Sequence, residues 1–250
     1  NTKVLAAEDA LLTAAQQDVI PAATADTFAF ARAAQELRAR AAGKEMELNA
    51  AQLEFARTFA CSPKMIAVGI GPAGTGKTTA LSLAAEAVNN AGGKVIGLAT
   101  ASMAAEVLRK DLTKGRNPGS EQVTTETLAK FLHSHGSGNP GGLSLQAGDV
   151  VIVDEAGMAS TRDLAAVLTI AEGAGALVRL AGDHNQLSAI GAGGVLRLIA
   201  HQVGAVELEE VHRFRNPDGS VNAEEAAASL ILRDPEQVRG AAAFDWYMEN

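Results

Sequence analysis

From Leu48 onward, short and almost wholly apolar runs alternate with longer stretches in which apolar residues recur every three or four positions. The short runs are "KMIAVGI", "KVIGLAT", "DVVIVDE", "ALVRLAGD" and "AVELEEV"; their length and β-branched content predict buried strands. The periodic stretches "ALSLAAEAV", "MAAEVLRKDL", "TRDLAAVLTIAE" and "AGGVLRLIAHQ" predict helices, and "TETLAKFLH" falls in the same alternation. Strands without a polar face, each followed by a helix, imply a parallel sheet covered on both sides: a mostly parallel, doubly wound α/β domain. Upstream, Asn1 to about Gly43 is alanine-rich, charged and helical in spacing, with no strand-like run. "KGRNPGSEQ" and "HGSGNPGGLSLQAGD" read as loops. The chain thus divides into a helical N-terminal extension over 1–47, an α/β domain over 48–216 and a helical or irregular tail over 217–250. No internal repeat of 20 to 50 residues is visible.

Composition narrows the class without naming it. With 47% hydrophobic residues in 250, the chain can bury a large core. A net charge of -8 argues against a uniformly basic surface coating nucleic acid, although a groove needs only local positive charge. The single cysteine, Cys61, excludes an internal disulfide framework and a cysteine-cluster metal site, and reads as a small buried residue at a helix end. A reducing compartment, the cytoplasm, is expected. No run reaches the roughly 18 to 20 apolar residues of a membrane span, so no membrane partner is expected. The absence of an initiator methionine points to a piece of a longer protein.

The densest chemistry lies in "GPAGTGKTT", between the first strand and the helix that follows it. Gly71, Gly76, Lys77 and Thr78 occupy every fixed position of G-x-x-x-x-G-K-[ST], with Pro72, Ala73, Gly74, Thr75 and Thr79 completing the loop. Glycines let successive N–H groups turn inward around a phosphate, and the helix N-terminus presents partial positive charge to the same anion. Lys77 is placed to reach the β- and γ-phosphates, and the Thr78 hydroxyl to ligate Mg²⁺. ATP with Mg²⁺ is the implied ligand. The competing interpretation is a flexible glycine turn with a solvated lysine; the strand and helix in register on either side disfavour it.

A second constellation ends the strand "VVIVDEAGM" in two carboxylates, Asp154 and Glu155. Beside a phosphate loop, the first is expected to hold Mg²⁺ and the second to orient or deprotonate the attacking water. Strand alternation predicts that the two acids point opposite ways. Alone, "DE" would read as a capped strand entering a turn.

Taken together, "DEAGM" and "LAGDHNQLSAIGAGG" resemble the second and third motifs of superfamily 1 helicases, more narrowly the RecD-like motor of conjugative relaxase-helicases of the MobF type. "LNAAQLEFARTF" resembles the glutamine motif upstream of the phosphate loop, "GLATAS" the motif ending the second strand, "TTETLAKFL" the threonine motif after it, and "EEVHRFR" the arginine motif closing the first motor domain. The resemblance, covering Leu48 to Arg215, implies a RecA-like P-loop NTPase fold with 48–216 as the first motor domain. It implies that Gln52 reads the adenine edge, Gln186 senses the γ-phosphate, Arg213 contacts it, and Thr100, Ser102 and Thr127 lie near single-stranded DNA. The implied activity is ATP-driven 5′ to 3′ translocation on single-stranded DNA. Implied partners are that strand, a second RecA-like domain of the same parent chain beyond the 217–250 tail, and an N-terminal relaxase domain. Two departures stand out: "ATAS" lacks the family's proline and glycine, and the later arginine motifs of a second motor domain are absent from these 250 residues. The isolated fragment is therefore expected to be weakly active or inactive.

Other readings remain at this stage. A nucleotide-binding assembly module without motor activity would also explain a half motor, and a small-molecule kinase would explain the loop while leaving "GDHNQL" and "EEVHRFR" without a role. His184 reads as a polar loop residue near nucleotide or DNA, and His133 and His135 as a solvated loop lacking a third metal ligand. Aromatic content of 4% leaves few rings for base stacking, and Trp246 and Tyr247 are expected to pack against a neighbouring domain.

Overall fold

A computed structural model describes residues 2–44, 48–72, 75–114, 116, 122–183 and 194–208. Strands β1 (Ile66–Ile70), β2 (Val95–Ala99), β3 (Val123–Thr127), β4 (Val150–Val153), β5 (Leu177–Gly182) and β6 (Val206–Glu207) form one sheet in the order β3-β2-β4-β5-β1-β6. Every pairing between them is parallel. Four of the apolar runs thus become strands buried on both faces, β1, β2, β4 and β5, as parallel sheets require, while β6 at the sheet's edge is half-buried to exposed. This is the RecA-like α/β arrangement.

The two faces have separate cores. On one, α1 (Thr2–Gln16), α6 (Leu128–Gly136), α7 (Thr161–Ala174) and α8 (Gly194–Val203) cover Val68, Leu98, Val151, Val153 and Leu180. On the other, α2 (Ala25–Ala41), α3 (Ala50–Cys61), α4 (Lys77–Asn90) and α5 (Ser102–Leu112) cover Val95, Val150, Ile152, Leu177 and Ala181. Successive residues of β4 alternate between these cores, the period-two signature of a strand. The helical lead-in contributes to both: α1 buries Leu11, Ala14 and Ala15 against α7 and α8, whereas α2 packs on α4.

Polar groups knit α2 to α4. Glu86 of α4, buried, accepts from Arg38 at 2.6 and 2.8 Å and from Gln35 at 3.0 Å. Charge-assisted bonds of this kind offset the desolvation of a carboxylate, which would otherwise be costly.

α3 lies flush on β1 because of one glycine. A Cβ at Gly69 would stand 2.4 Å from the Phe55 ring and 2.6 Å from Phe59. With hydrogen there, the two rings stack on one another with centroids 4.5 Å apart and press against the strand.

The histidine pair departs from expectation. His133 and His135 lie in the last turn of α6, not in a loop; the loop begins one residue past Gly136. His135 tilts over Phe131, centroids 4.3 Å apart, and its Nδ1 is 3.0 Å from the Phe131 carbonyl. An i,i+4 aromatic contact and imidazoles beside the negative end of the helix explain why this polar, glycine-flanked sequence stays helical. Among the described residues no group of three or more His, Cys, Asp or Glu is arranged to hold a metal.

Candidate nucleotide site

The site gathers at the C-terminal edge of the sheet, where open α/β folds bind ligands. β1 ends at Ile70, and the next residue, Gly71, donates its N–H to the Gly182 carbonyl at 2.9 Å, tying the loop's start to the end of β5. Thr75, fully buried, donates its hydroxyl to the Pro72 carbonyl at 2.9 Å and so closes the turn from inside. Gly76 then opens α4 with φ +82, a left-handed conformation that costs glycine little. α4 starts without a side-chain cap, unlike α3, α6 and α7, which are capped by Asn49, Thr127 and Ser160. A helix that leaves its first turn uncapped at a glycine loop offers those N–H groups and its dipole to an anion. Ala73 and Gly74 lie outside the described residues.

β5 separates β1 from β4, so the loop and the acidic strand end are two strand spacings, about 10 Å, apart. Lys77, in the first turn of α4, bridges that gap. Its Nζ stands 3.0 Å from Asp154 Oδ1 and 3.5 Å from Glu155 Oε1. Burial opposes the charged ammonium, but the two carboxylates outweigh it and hold Lys77 above the usual lysine range. The contact to Asp154 is a charge pairing, not a well-aligned hydrogen bond, so the buried Oδ1 keeps an unused acceptor position.

Strand alternation does not separate the two acids. β4 ends at Val153, and Glu155 adopts φ 51, ψ 41, the one left-handed non-glycine residue among those described. The backbone therefore turns before the period-two rule can act, and a 3-10 turn over Ala156–Met158 follows. Both carboxylates consequently face the same ammonium. Such a conformation costs on the order of 1–3 kcal/mol and persists where surrounding structure enforces it.

The residues present fit a divalent ion. Asp154 Oδ1 is buried with acceptor capacity to spare, and Thr78, half-buried, sits in the first turn of α4 beside Lys77. One carboxylate and one hydroxyl suit Mg²⁺, which keeps several waters and takes further oxygens from phosphates.

Gln52 is placed differently from an exposed base reader. It is 6% exposed, its Oε1 accepts from the Asn49 N–H at 3.1 Å, and its Nε2 donates to the Thr75 carbonyl at 2.9 Å. Thr100 and Thr127 stand at adjoining strand ends, since β2 pairs with β3 up to Ala99 opposite Thr127, and Ser102 opens α5 beside them. Gln186, His184, Arg213, Arg215, Trp246 and Tyr247 lie outside the described residues.

Two acids went unnoticed in the sequence. Asp183, buried, immediately follows β5 and so stands between the loop and Asp154; its place directly after "LVRLAG" was the available signal. Asp111 of α5 is raised above the usual carboxylate range by burial, with Lys114, Asp154 and Lys77 all within electrostatic reach. A helical "KDL" carries no such signal, since its neighbours are set by tertiary packing.

Comparison with known proteins places this geometry in a family. The AAA domain family matches residues 47–250. A probable conjugal transfer protein TraA of Sinorhizobium fredii is 39% identical over 150 residues, 60% of this chain and 12% of the relative. The conjugal transfer protein TraA of Rhizobium radiobacter is 37% identical over 153 residues, 61% of this chain and 13% of the relative. The match thus spans about an eighth of the length of these relatives. Among solved structures, an arterivirus nonstructural protein 10 helicase in complex with DNA aligns with a TM-score of 0.45 at 21% identity, over 73% of this chain and 41% of that one. The UvsW helicase of bacteriophage T4 aligns with a TM-score of 0.44 at 12% identity, over 66% of this chain and 60% of that one. These distant likenesses add nothing to the topology already described. With a phosphate loop, an acidic strand end and an all-parallel sheet in one family match, the chain belongs to the AAA domain family, as a RecD-like motor domain of superfamily 1 helicase type.

Proposed function

We propose that this domain is the first half of an ATP-driven translocase that moves 5′ to 3′ on single-stranded DNA within a larger conjugation protein. The observation that carries the reading is Lys77 Nζ at 3.0 Å from Asp154 and 3.5 Å from Glu155, beneath a glycine loop that opens an uncapped helix. A lysine neutralised by two acids is poised for exchange. The triphosphate competes for the ammonium and the α4 N-terminus, and in doing so releases both carboxylates for other work. Asp154 Oδ1 and the Thr78 hydroxyl would hold Mg²⁺, which when bound supplies neutralisation of charge developing on the phosphates. Glu155, freed from Lys77, orients the attacking water and accepts its proton on the carboxylate. Lys77 keeps its charge throughout and stabilises the phosphoryl oxygens.

Single-stranded DNA crosses the strand ends near Thr100, Ser102 and Thr127. A second RecA-like domain of the parent chain closes the other side of the nucleotide cleft, with Gln186 and Arg213 reporting the γ-phosphate to both domains. The names of the TraA relatives support a place in conjugative transfer; a relaxase domain upstream, and a cytoplasmic setting for the reactions, belong to the same reading. The test is Mg²⁺-dependent ATP hydrolysis by the full-length parent protein with and without single-stranded DNA, followed by unwinding of partial duplexes with a 5′ or a 3′ overhang. DNA-stimulated turnover and unwinding from the 5′ overhang are expected. Hydrolysis indifferent to DNA refutes the translocase, and tight ATP binding without hydrolysis favours the assembly module.

A further inference from the structure

α4 is an apolar helix with one polar stripe. Alanine, leucine and valine fill most of its buried positions, yet Ser82 and Glu86 are buried among them, and Asn89 follows one turn on. The spacing i, i+4, i+7 puts these three side chains on one face of the helix.

Each of them holds chain that belongs to other elements. Ser82 Oγ donates to the Lys114 carbonyl at 3.2 Å, and Glu86 Oε2 lies 3.8 Å from Arg116 Nε. Asn89 Oδ1 accepts from Arg116 Nη1 at 2.9 Å and from the Gln122 N–H at 3.3 Å, while its Nδ2 donates to the Gln122 carbonyl at 3.2 Å. Lys114 and Arg116 follow the end of α5, and Gln122 immediately precedes β3. The stripe therefore grips the exit of α5 and the entry of β3 together. From outside, Gln35 and Arg38 of α2 close over the same Glu86 carboxylate.

What these elements carry at their other ends gives the stripe its use. α4 begins with Lys77, α5 begins with Ser102, and β3 ends at Thr127. One rigid helix, about 18 Å long from Lys77 to Asn89 at 1.5 Å per residue, thus joins the phosphate loop to both elements that flank the strand path. As a source of stability alone the stripe is costly, because apolar side chains would fill the same space without desolvating a carboxylate. Its bonds are directional, so a displacement of α4 is passed on to α5 and β3, whereas a purely apolar contact would let the helix slide.

We propose that Ser82, Glu86 and Asn89 form a coupling stripe: it conveys the departure of Lys77 from its two carboxylates to α5 and β3, and conveys single-stranded DNA held at those elements back to the phosphate loop. This inference rests on the reading of the domain as a DNA-stimulated ATPase. The three are positioning residues, acting through α4 and its neighbours, and linkage requires the effect on affinity to be equal in both directions.

Arg116→Met releases the exit of α5 while leaving Glu86 its bonds to Arg38 and Gln35; Ser82→Ala is the second variant should the first not fold. Arg38→Met is the control, since it loosens α2 from the same carboxylate and spares Arg116. In the full-length parent protein, Mg²⁺-ATP turnover is measured without and with saturating oligothymidylate, and the Kd of the oligonucleotide without and with a non-hydrolysable ATP analogue. For Arg116→Met, DNA-free turnover should stay within about twofold, while stimulation by DNA and the analogue's effect on DNA affinity both shrink about fivefold. Arg38→Met should keep its stimulation. Equal losses with and without DNA overturn the proposal, as does full stimulation in the released variants. Loss of stimulation in Arg38→Met to the same extent also overturns it, because general loosening would then explain the result. If the unsubstituted protein does not respond to DNA, the translocase reading fails, and the proposal with it.

Discussion

Lys77 and Arg179 are two cations taken out of water at opposite edges of the same sheet, and the fold neutralises them in opposite ways. Lys77, at the C-terminal edge, faces two carboxylates and, among the described residues, no carbonyl cage. Arg179, toward the N-terminal edge, has four bonds to backbone carbonyls, of Phe59, Ser62, Lys64 and Val178. Burial pulls its guanidinium down to about 9, still protonated at neutral pH. Carbonyls of a helix end and a strand start cannot leave without unfolding, so the Arg179 cluster is permanent. Carboxylates on a turn can exchange an ammonium for a metal or a water, so the Lys77 cluster is convertible. One edge of the domain is built to stay and the other to react.

The largest expected effect comes from removing the convertible cation. Lys77→Ala should lower ATP turnover of the parent protein about 1000-fold, measured under saturating Mg²⁺-ATP and DNA, with an unchanged circular dichroism spectrum. Arg179→Met should break the other side of the comparison: with several buried carbonyls left unpaired, urea unfolding is expected to show a loss of about 3 kcal/mol. If Arg179→Met instead reduces turnover without loss of stability, the division between a reactive and a permanent edge fails. Glu155→Gln keeps shape and backbone but loses the base, and should cut turnover about 100-fold while ATP affinity holds within about threefold.

Acidity sharpens the contrast with the smallest effect. Folding raises Lys77, so the stability its charge supplies is fully present below the unfolded lysine value and is lost only as pH rises through the higher folded one. Nucleotide affinity should therefore stay flat from neutral pH to about pH 9, measured by fluorescence titration. A fall of tenfold across that range would show an ammonium already losing its proton.

How far all this could be read from residues follows from sequence distance. "GPAGTGKTT" and "VVIVDEAGM" each hold strand, turn and chemistry within a few positions, and both were legible. "ALVRLAGD" showed a strand but hid the role of its arginine, because the acceptors at Phe59, Ser62 and Lys64 lie 115 to 120 residues away. The left-handed backbone of Glu155 was hidden for a related reason: φ > 0 is signalled by glycine or asparagine, and a glutamate there is imposed by the packing around it. "HSH" misled because glycine and serine nearby suggested a loop, whereas the contact of His135 with Phe131 keeps the last turn of α6 closed. Gln52 was recognised as important from its place upstream of the loop, but only coordinates show that its amide is committed at both ends.

The central claim is that the acids around Lys77 yield it to a triphosphate. A crystal structure of the chain with Mg²⁺ and a non-hydrolysable ATP analogue tests this directly. The account predicts the phosphates in the Gly71 to Thr78 loop, Nζ of Lys77 moved off Asp154 onto phosphate oxygens, and Asp154 turned to the metal. Phosphates bound elsewhere, or Lys77 still paired with Asp154 at 3.0 Å beside a bound triphosphate, would contradict it.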